Sequence, residues 1–291
     1  MHVFVTGGSG QTGPAVVAEL VAAGHSVTGL ARSDAAAARL EALGATPHRG
    51  CLDDLDSLYN GAAAADGVLH MAYGGDFSDL DDMTRRDRTA IETLGRPLEH
   101  SGKPLVITSG TLVMPAGRET TEKDEPDTAG IAAFRIAGER ACLRLATRDV
   151  RASVVRLAPT VHGPRDHGFI PMLIATARKT GVSAYVGDGA NRWPAAHVTD
   201  AARVFRLAAD EARPGSVLNA VHDTDGDVRG YTVALWSGDR FLCCHFGLRE
   251  GDRFHPWIAS MDPELTAYSP GQSFLSEMIR VSERKKDNVE F

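Results

Sequence analysis

The residues best placed to do chemistry come first in the chain. Thr6-Gly7-Gly8-Ser9-Gly10-Gln11-Thr12-Gly13 lies between the strand-like run 2–6 and a helical pattern running from Ala15 to Ala23. In the spacing G-x-x-G-x-x-G, the first glycine allows a sharp turn and the second lets backbone approach a pyrophosphate. The third lets the helix pack closely on its strand. Free backbone N–H groups and the helix dipole then attract an anion. Thr6, Gly7, Gly10, Gln11, Thr12 and Gly13 are therefore expected to hold the pyrophosphate of a dinucleotide.

The end of the second strand-like run reads Ala31-Arg32-Ser33-Asp34. An acidic residue there would accept from a ribose 2′-hydroxyl, whereas an arginine suits a 2′-phosphate. Arg32, with Ser33 as a donor, points to NADP, with NAD as the alternative. The competing reading makes Arg32 a solvated loop residue and Asp34 only the cap of the next helix. Farther along, His162, Arg165, His167, Arg192, Trp193 and His197 cluster in loops. Histidine titrates near neutrality and suits proton transfer. Arginine beside tryptophan can clamp and stack a substrate. The plainer reading is that these residues only hydrogen-bond their own lobe.

The elements that must position these groups alternate. Strand-like runs at 2–6, 25–31, 46–49, 67–72, 104–109 and 150–157 are separated by helical patterns. These start near Ala15, Asp34, Asp53-Asp54, Leu80 and Ala129. Near-continuous apolar strands between helices imply an α/β fold with a doubly wound parallel sheet covered on both faces. Beyond residue 157 the pattern loosens into a small lobe at about 160–200. It contains a helix at 169–180 and a short strand at 184–186; a helix at 200–212 capped by Asp200 and a strand at 216–221 follow. Past Val221, runs at 232–236, 240–246 and 253–258 read as antiparallel strands, followed by a helix at 273–282 and a frayed tail at 283–288. The division is thus 1–221 and an atypical segment 222–291.

Bulk properties narrow the class. With 291 residues, a net charge of -7, 43% hydrophobic and 24% charged residues, the chain reads as a soluble globular protein. Its acidity argues against nucleic acid or an anionic membrane as the main partner, but not against an anionic small ligand. A small-molecule substrate is expected, and a homodimer is compatible with the sequence. Cys51, Cys142, Cys243 and Cys244 show no metal spacing and read as reduced thiols. An EF-hand loop starting at Asp223 would end at Ala234 rather than a glutamate, so 223–230 reads as a solvated turn. No signal peptide or membrane-spanning run is visible, which makes the cytoplasm the expected location.

Over residues 1–221 the chain resembles the short-chain dehydrogenase/reductase superfamily, in its extended or atypical NAD-dependent epimerase/dehydratase branch. The resemblance rests on the glycine turn, on Asp66-Gly-Val-Leu-His-Met-Ala72 and on Val106-Ile-Thr-Ser109. It rests also on Gly138-Glu139, Arg156-Leu-Ala-Pro-Thr-Val-His-Gly-Pro164, Val186-Gly-Asp-Gly and His197-Val-Thr-Asp200. It implies a Rossmann domain in which His70, Met71 and Ala72 line the cofactor and Pro159, Thr160 and Val161 lie by the nicotinamide. Cys51 stands where the family has an adenine-contacting aspartate, leaving that contact to backbone or to Leu52.

The family's chemistry uses a Ser or Thr after the fifth strand and a Tyr-x-x-x-Lys pair on the next helix. Ser109 matches the serine, but Ile131 and Arg135 fall where tyrosine and lysine are expected. None of the tyrosines at 59, 73, 185, 231 and 268 has a lysine four residues on. Arg135 can still donate to a ribose hydroxyl or phosphate. The missing acid must then be Tyr73, His162 or His167, or there is no turnover. Thr111, His162, His167, Arg192 and Trp193 are the expected substrate contacts. Two functions remain open. One is an NADP(H)-dependent oxidoreductase of a small carbonyl or hydroxyl compound, sugar-derived among the options, with Ser109 polarising the oxygen. The other is a non-catalytic dinucleotide-binding or sensor protein.

Residues 232–282 resemble a fragment of a FemAB or GNAT-like acetyltransferase. About fifty residues cannot form that whole domain, so no acyl transfer is expected. A hairpin layer packed on the first domain is the alternative.

Overall fold

The computed structural model describes residues 1–74, 78–164, 166–184, 187 and 194–221. It also describes the backbone of 229–237, 240–250, 253–261 and 288–289. Contacts divide the chain into units Met1–His222 and Asp223–Phe291.

The first unit alternates strands and helices: β1 (His2–Thr6), α1 (Gly13–Ala22), β2 (Ser26–Ala31), α2 (Asp34–Ala42), β3 (Thr46–Arg49), α3 (Leu55–Ala63), β4 (Gly67–His70) and α4 (Leu80–Gly95). It continues with β5 (Pro104–Gly110), α5 (Ile136–Leu145), β6 (Arg151–Leu157), β7 (Thr160–His162), α6 (Phe169–Thr180), β8 (Ala195–His197), α7 (Val198–Glu211) and β9 (Ser216–Ala220). Seven strands form one sheet in the order β3-β2-β1-β4-β5-β6-β9. Every pairing in it is parallel, as the apolar strands require. Strand order reverses between β1 and β4, which opens a crevice at their C-terminal ends where such sheets take ligands. β7 and β8 pair as a separate parallel ribbon.

Alternation along β1 supplies both core layers. Val3 and Val5 join Val17, Leu20, Leu40 and Phe205 on one face. Phe4 joins Leu58, Ile91, Leu94, Leu105 and Val154 on the other. A salt bridge lies inside this apolar frame. Arg156 on β6 donates to Glu139 on α5 through Nε at 3.0 Å and Nη2 at 2.7 Å, and both residues are 2% exposed.

Several boundaries differ from the sequence reading. Ser33, not Asp34, caps α2: its extended backbone lets Oγ accept the Ala36 N–H at 3.2 Å, leaving Asp34 in the first turn. α7 begins at Val198 with His197 as its cap, because His197 Nδ1 accepts the Thr199 N–H at 3.4 Å. Asp200 falls in the first turn. The helix read from Ala129 is a 3₁₀ turn at Ala133–Arg135 running into α5, since residues 127–133 close successive tight turns. Residues 185–186 of the expected short strand lie outside the described residues.

In the second unit β10 (Arg229–Ser237), β11 (Arg240–Glu250) and β12 (Arg253–Met261) are antiparallel neighbours, as their alternation predicts. β13 (Asn288–Val289) pairs with β12 in parallel, at the end of the tail expected to fray. Most of the turn at 223–230 and the helix expected at 273–282 lie outside the described residues. No helix among the described residues is long and apolar enough to cross a membrane.

Candidate functional site

The glycine turn sits at the point where strand order reverses. Gly7 has φ +74°, and a Cβ there would lie 2.6 Å from the Ala72 nitrogen. A Cβ on Gly13 would lie 2.1 Å from the Gly7 carbonyl oxygen. The Gly10 N–H donates to that same oxygen at 2.9 Å, which closes the turn. Thr12 makes no side-chain cap on α1, whereas Ser33, Asp54 and Asp79 cap the next three helices. The start of α1 is therefore left without a side-chain cap, and there Pro14 brings no N–H while the Ala15 and Val16 N–H groups bond to the Thr12 carbonyl at 3.2 and 3.3 Å.

Thr6 differs from its expected role. It is fully buried, and its hydroxyl oxygen accepts the N–H groups of Met71 and Ala72 at 3.2 and 3.1 Å. It thus ties β1 to the residues that follow β4. Met71 and Ala72 are half-buried. Gln11 reaches across to the segment after β7, donating through Nε2 to Asp166 Oδ1 at 2.6 Å.

At the end of β2, Arg32 is exposed and has no partner among the described residues. The Ser33 oxygen accepts at the α2 cap, and its hydroxyl proton remains available. Arg39 donates to the Ser9 carbonyl at 3.3 Å and so brings another guanidinium to the turn. Arg49 is already paired with Asp34 at 2.5 Å. Cys51 and Leu52 are half-buried, Leu52 packing against the Phe4 core layer.

The structure joins two expected residues that lie 62 positions apart in the chain. The Arg135 guanidinium carbon lies 3.6 Å from the centroid of the Tyr73 ring. Phe134 stacks at 6.4 Å from the same ring. Arg135 also donates to the Thr108 carbonyl and lies 3.9 Å from Asp87 Oδ2. The hydroxyls of Tyr73, Ser109 and Thr111 are buried with no well-formed hydrogen bond among the described residues. Unpaired buried hydroxyls are costly, and a bound polar ligand would satisfy them. Burial pushes the Tyr73 phenol above its ordinary value; the Arg135 cation pulls it back and the Asp87 charge adds to the push. Ile131, at the family's tyrosine position, is 78% exposed.

Pro159 is half-buried between β6 and β7. The half-buried His162 faces His197 across the ribbon, ring centroids 5.4 Å apart and edge to face. His167 is exposed. Arg165, Arg192 and Trp193 lie outside the described residues. Two buried charged residues were given no individual role by the sequence reading. Asp87 interrupts the buried stripe Met83-Asp87-Ala90-Ile91-Leu94 of α4, and Arg156 sits within the buried strand β6. A charge on a core face was the available signal in both cases.

The model of the NAD dependent epimerase/dehydratase family matches residues 3–220. The chain belongs to that family. A second model, an acetyltransferase (GNAT) domain, matches residues 191–287, a wider stretch than the 232–282 legible in the sequence. An uncharacterized protein of Schizosaccharomyces pombe is 45% identical over 225 residues, covering 76% of this chain and 75% of its own. A 4-hydroxy-2-methyl-3-oxo-4-farnesyl-3,4-dihydroquinoline-1-oxide ketoreductase of Stigmatella aurantiaca is 30% identical, covering 81% of this chain and 72% of its own. Among solved structures, MoeE5 in complex with UDP-glucose and NAD is 26% identical with a TM-score of 0.63 and covers 75% of each chain.

Proposed function

We propose that this family member is a nicotinamide-dinucleotide-dependent oxidoreductase that reduces a small carbonyl compound, with NADP preferred. The carrying observation is the Arg135 guanidinium 3.6 Å over the ring of Tyr73, whose hydroxyl is buried and has no well-formed hydrogen bond among the described residues. A phenol beside a fixed cation is the pairing that Tyr-x-x-x-Lys supplies elsewhere in the family, here assembled from the segment after β4 and the turn before α5.

The residues present fit the dinucleotide. Gly7 and Gly13 let the turn close tightly on its own backbone, where a Cβ would lie 2.6 Å from the Ala72 nitrogen and 2.1 Å from the Gly7 carbonyl oxygen, and a tight turn of this kind is what a pyrophosphate needs. Arg32 offers an exposed cation, without a partner among the described residues, for a 2′-phosphate. When bound, the dinucleotide supplies the hydride. The chain's own part is the proton. Tyr73 Oη gives it to the carbonyl oxygen, Ser109 Oγ–H donates a hydrogen bond to that oxygen, and Arg135 stabilises the phenolate left behind. A phenol held above its ordinary value stays protonated through the neutral range, which suits an acid in reduction. The ketoreductase and a 2-alkyl-3-oxoalkanoate reductase of Stenotrophomonas maltophilia, 29% identical, are by name carbonyl reductases. Their names support that direction.

Ile131 at the tyrosine position favours the second reading, a dinucleotide-binding protein without turnover. Titration with NADPH and NADH, then a screen for consumption with carbonyl compounds, separates the two. Tyr73→Phe is expected to lower kcat by about 10²–10⁴-fold while leaving dinucleotide affinity unchanged. Wild-type turnover in Tyr73→Phe would remove Tyr73 as the acid. Binding without turnover, unchanged in Ser109→Ala, would select the second reading, and binding of neither dinucleotide would exclude both.

A further inference from the structure

Asp87 takes no part in the proton step above, yet it is a carboxylate 6% exposed on the core face of α4. Its Oδ2 lies 3.9 Å from Arg135 Nη1, and its Oδ1 lies 3.3 Å from His70 Nε2. His70, 2% exposed, places Nδ1 2.8 Å from Thr6 Oγ1.

Counting donors assigns the protons along this chain. Thr6 Oγ1 accepts from Ala72 and shares the Met71 N–H with the Thr6 carbonyl, so its oxygen already serves as an acceptor on the β4 side. Its one proton is then left for His70 Nδ1. His70 must carry its own proton on Nε2, where it donates to Asp87. The carboxylate thus accepts from the glycine-turn side through one oxygen and faces the Arg135 cation with the other. Gly138 makes room for it: a Cβ there would lie 2.5 Å from Asp87 Oδ2.

We propose that Asp87 is a positioning residue for this site: it holds Arg135 over Tyr73 and is itself held, through His70, by Thr6 at the base of the glycine turn. The inference rests on the reading of Tyr73 as the proton donor. It makes the dinucleotide turn and the proton-donating pair two ends of one buried chain, hydrogen-bonded from Thr6 through His70 to Asp87 and continued to Arg135 by charge attraction at 3.9 Å. Tyr73 is faced by Arg135 and Phe134 and, behind Arg135, by Asp87. Removing the carboxylate charge leaves the cation unopposed, which favours the phenolate and moves the phenol's titration to lower pH. Carbonyl reduction needs the protonated phenol, so its alkaline limb moves the same way.

The test uses the full chain and two variants. Asp87→Asn removes the charge with little change in shape. Gly138→Ala keeps the charge but displaces the carboxylate, so the question stays answerable if Asp87→Asn does not fold. Tyrosinate absorbance against pH, with Tyr73→Phe as the reference, reports the phenol without requiring turnover. Expected results are a Tyr73 transition at lower pH in Asp87→Asn, and kcat lower by about a hundredfold in either variant with NADPH affinity nearly unchanged. Folded variants with an unmoved Tyr73 transition and wild-type kcat would overturn the proposal. A shifted transition in a protein that turns over no carbonyl compound would keep the Asp87 linkage and reject the oxidoreductase reading.

Discussion

Arg32 and Tyr73 put the chemical questions on single side chains. Arg32 is exposed at the end of β2, while Arg49 is neutralised by Asp34 and Arg39 is turned toward Ser9. If Arg32 reads a 2′-phosphate, Arg32→Ala should weaken NADPH binding by about 1.5–3 kcal/mol, the scale of a charge-assisted hydrogen bond, and leave NADH unchanged. Isothermal titration with both dinucleotides decides it; equal losses would show that Arg32 does not discriminate. The sequence exposed the candidate Arg32 because a charged residue at a strand end is visible in one dimension. It offered Tyr73 only as one of three acids, because the Arg135 contact joins two segments that local patterns treat separately.

At the scale of elements, the turn from β1 into α1 depends on two different kinds of glycine. Gly13 is required by close approach, since an added Cβ meets the Gly7 carbonyl at 2.1 Å, whereas Gly24 after α1 has φ +85° and open space. Gly13→Ala should therefore abolish dinucleotide binding and destabilise the fold by about 1–3 kcal/mol, as overpacking does. Gly24→Ala should cost about 1 kcal/mol of backbone strain and leave binding intact. Urea unfolding and dinucleotide titration of the pair provide the check; intact binding in Gly13→Ala would show that the turn can relax. Strands and helices of the first unit were legible because the apolar periods of strand and helix differ. Caps were less so. Ser33 against Asp34, and His197 against Asp200, are choices between neighbouring side chains that only backbone angles resolve.

At the scale of the whole molecule, the Glu139–Arg156 pair binds α5 to β6 inside the core, and Arg156 Nη1 also lies 2.9 Å from Met114 Sδ beyond β5. Breaking one side of a buried pair leaves an uncompensated charge. Glu139→Gln should thus lower stability by about 3–5 kcal/mol in urea unfolding. A loss under about 1 kcal/mol would mean that the Arg156 charge finds other compensation. Such pairs escaped the sequence reading because both charges lie in otherwise apolar patterns and their partners are far away along the chain. The second unit was legible as antiparallel strands, since its alternation is local, and its acetyltransferase likeness extends further than its motifs indicated.

What the sequence by itself determined follows from short-range rules. The parallel α/β architecture, the glycine turn after β1, the acidic balance and the loss of Tyr-x-x-x-Lys are all matters of residue type, period and spacing. The tertiary structure decided which distant side chains meet. It engaged the Thr6 hydroxyl with His70 and the end of β4, brought Arg135 onto Tyr73, turned Ile131 to solvent and set Asp87 between Arg135 and His70. The physical reason is that strand order reverses at the β1–β4 boundary. Parallel pairing then converges the C-terminal ends of strands that are tens of residues apart, a convergence no sequence window contains.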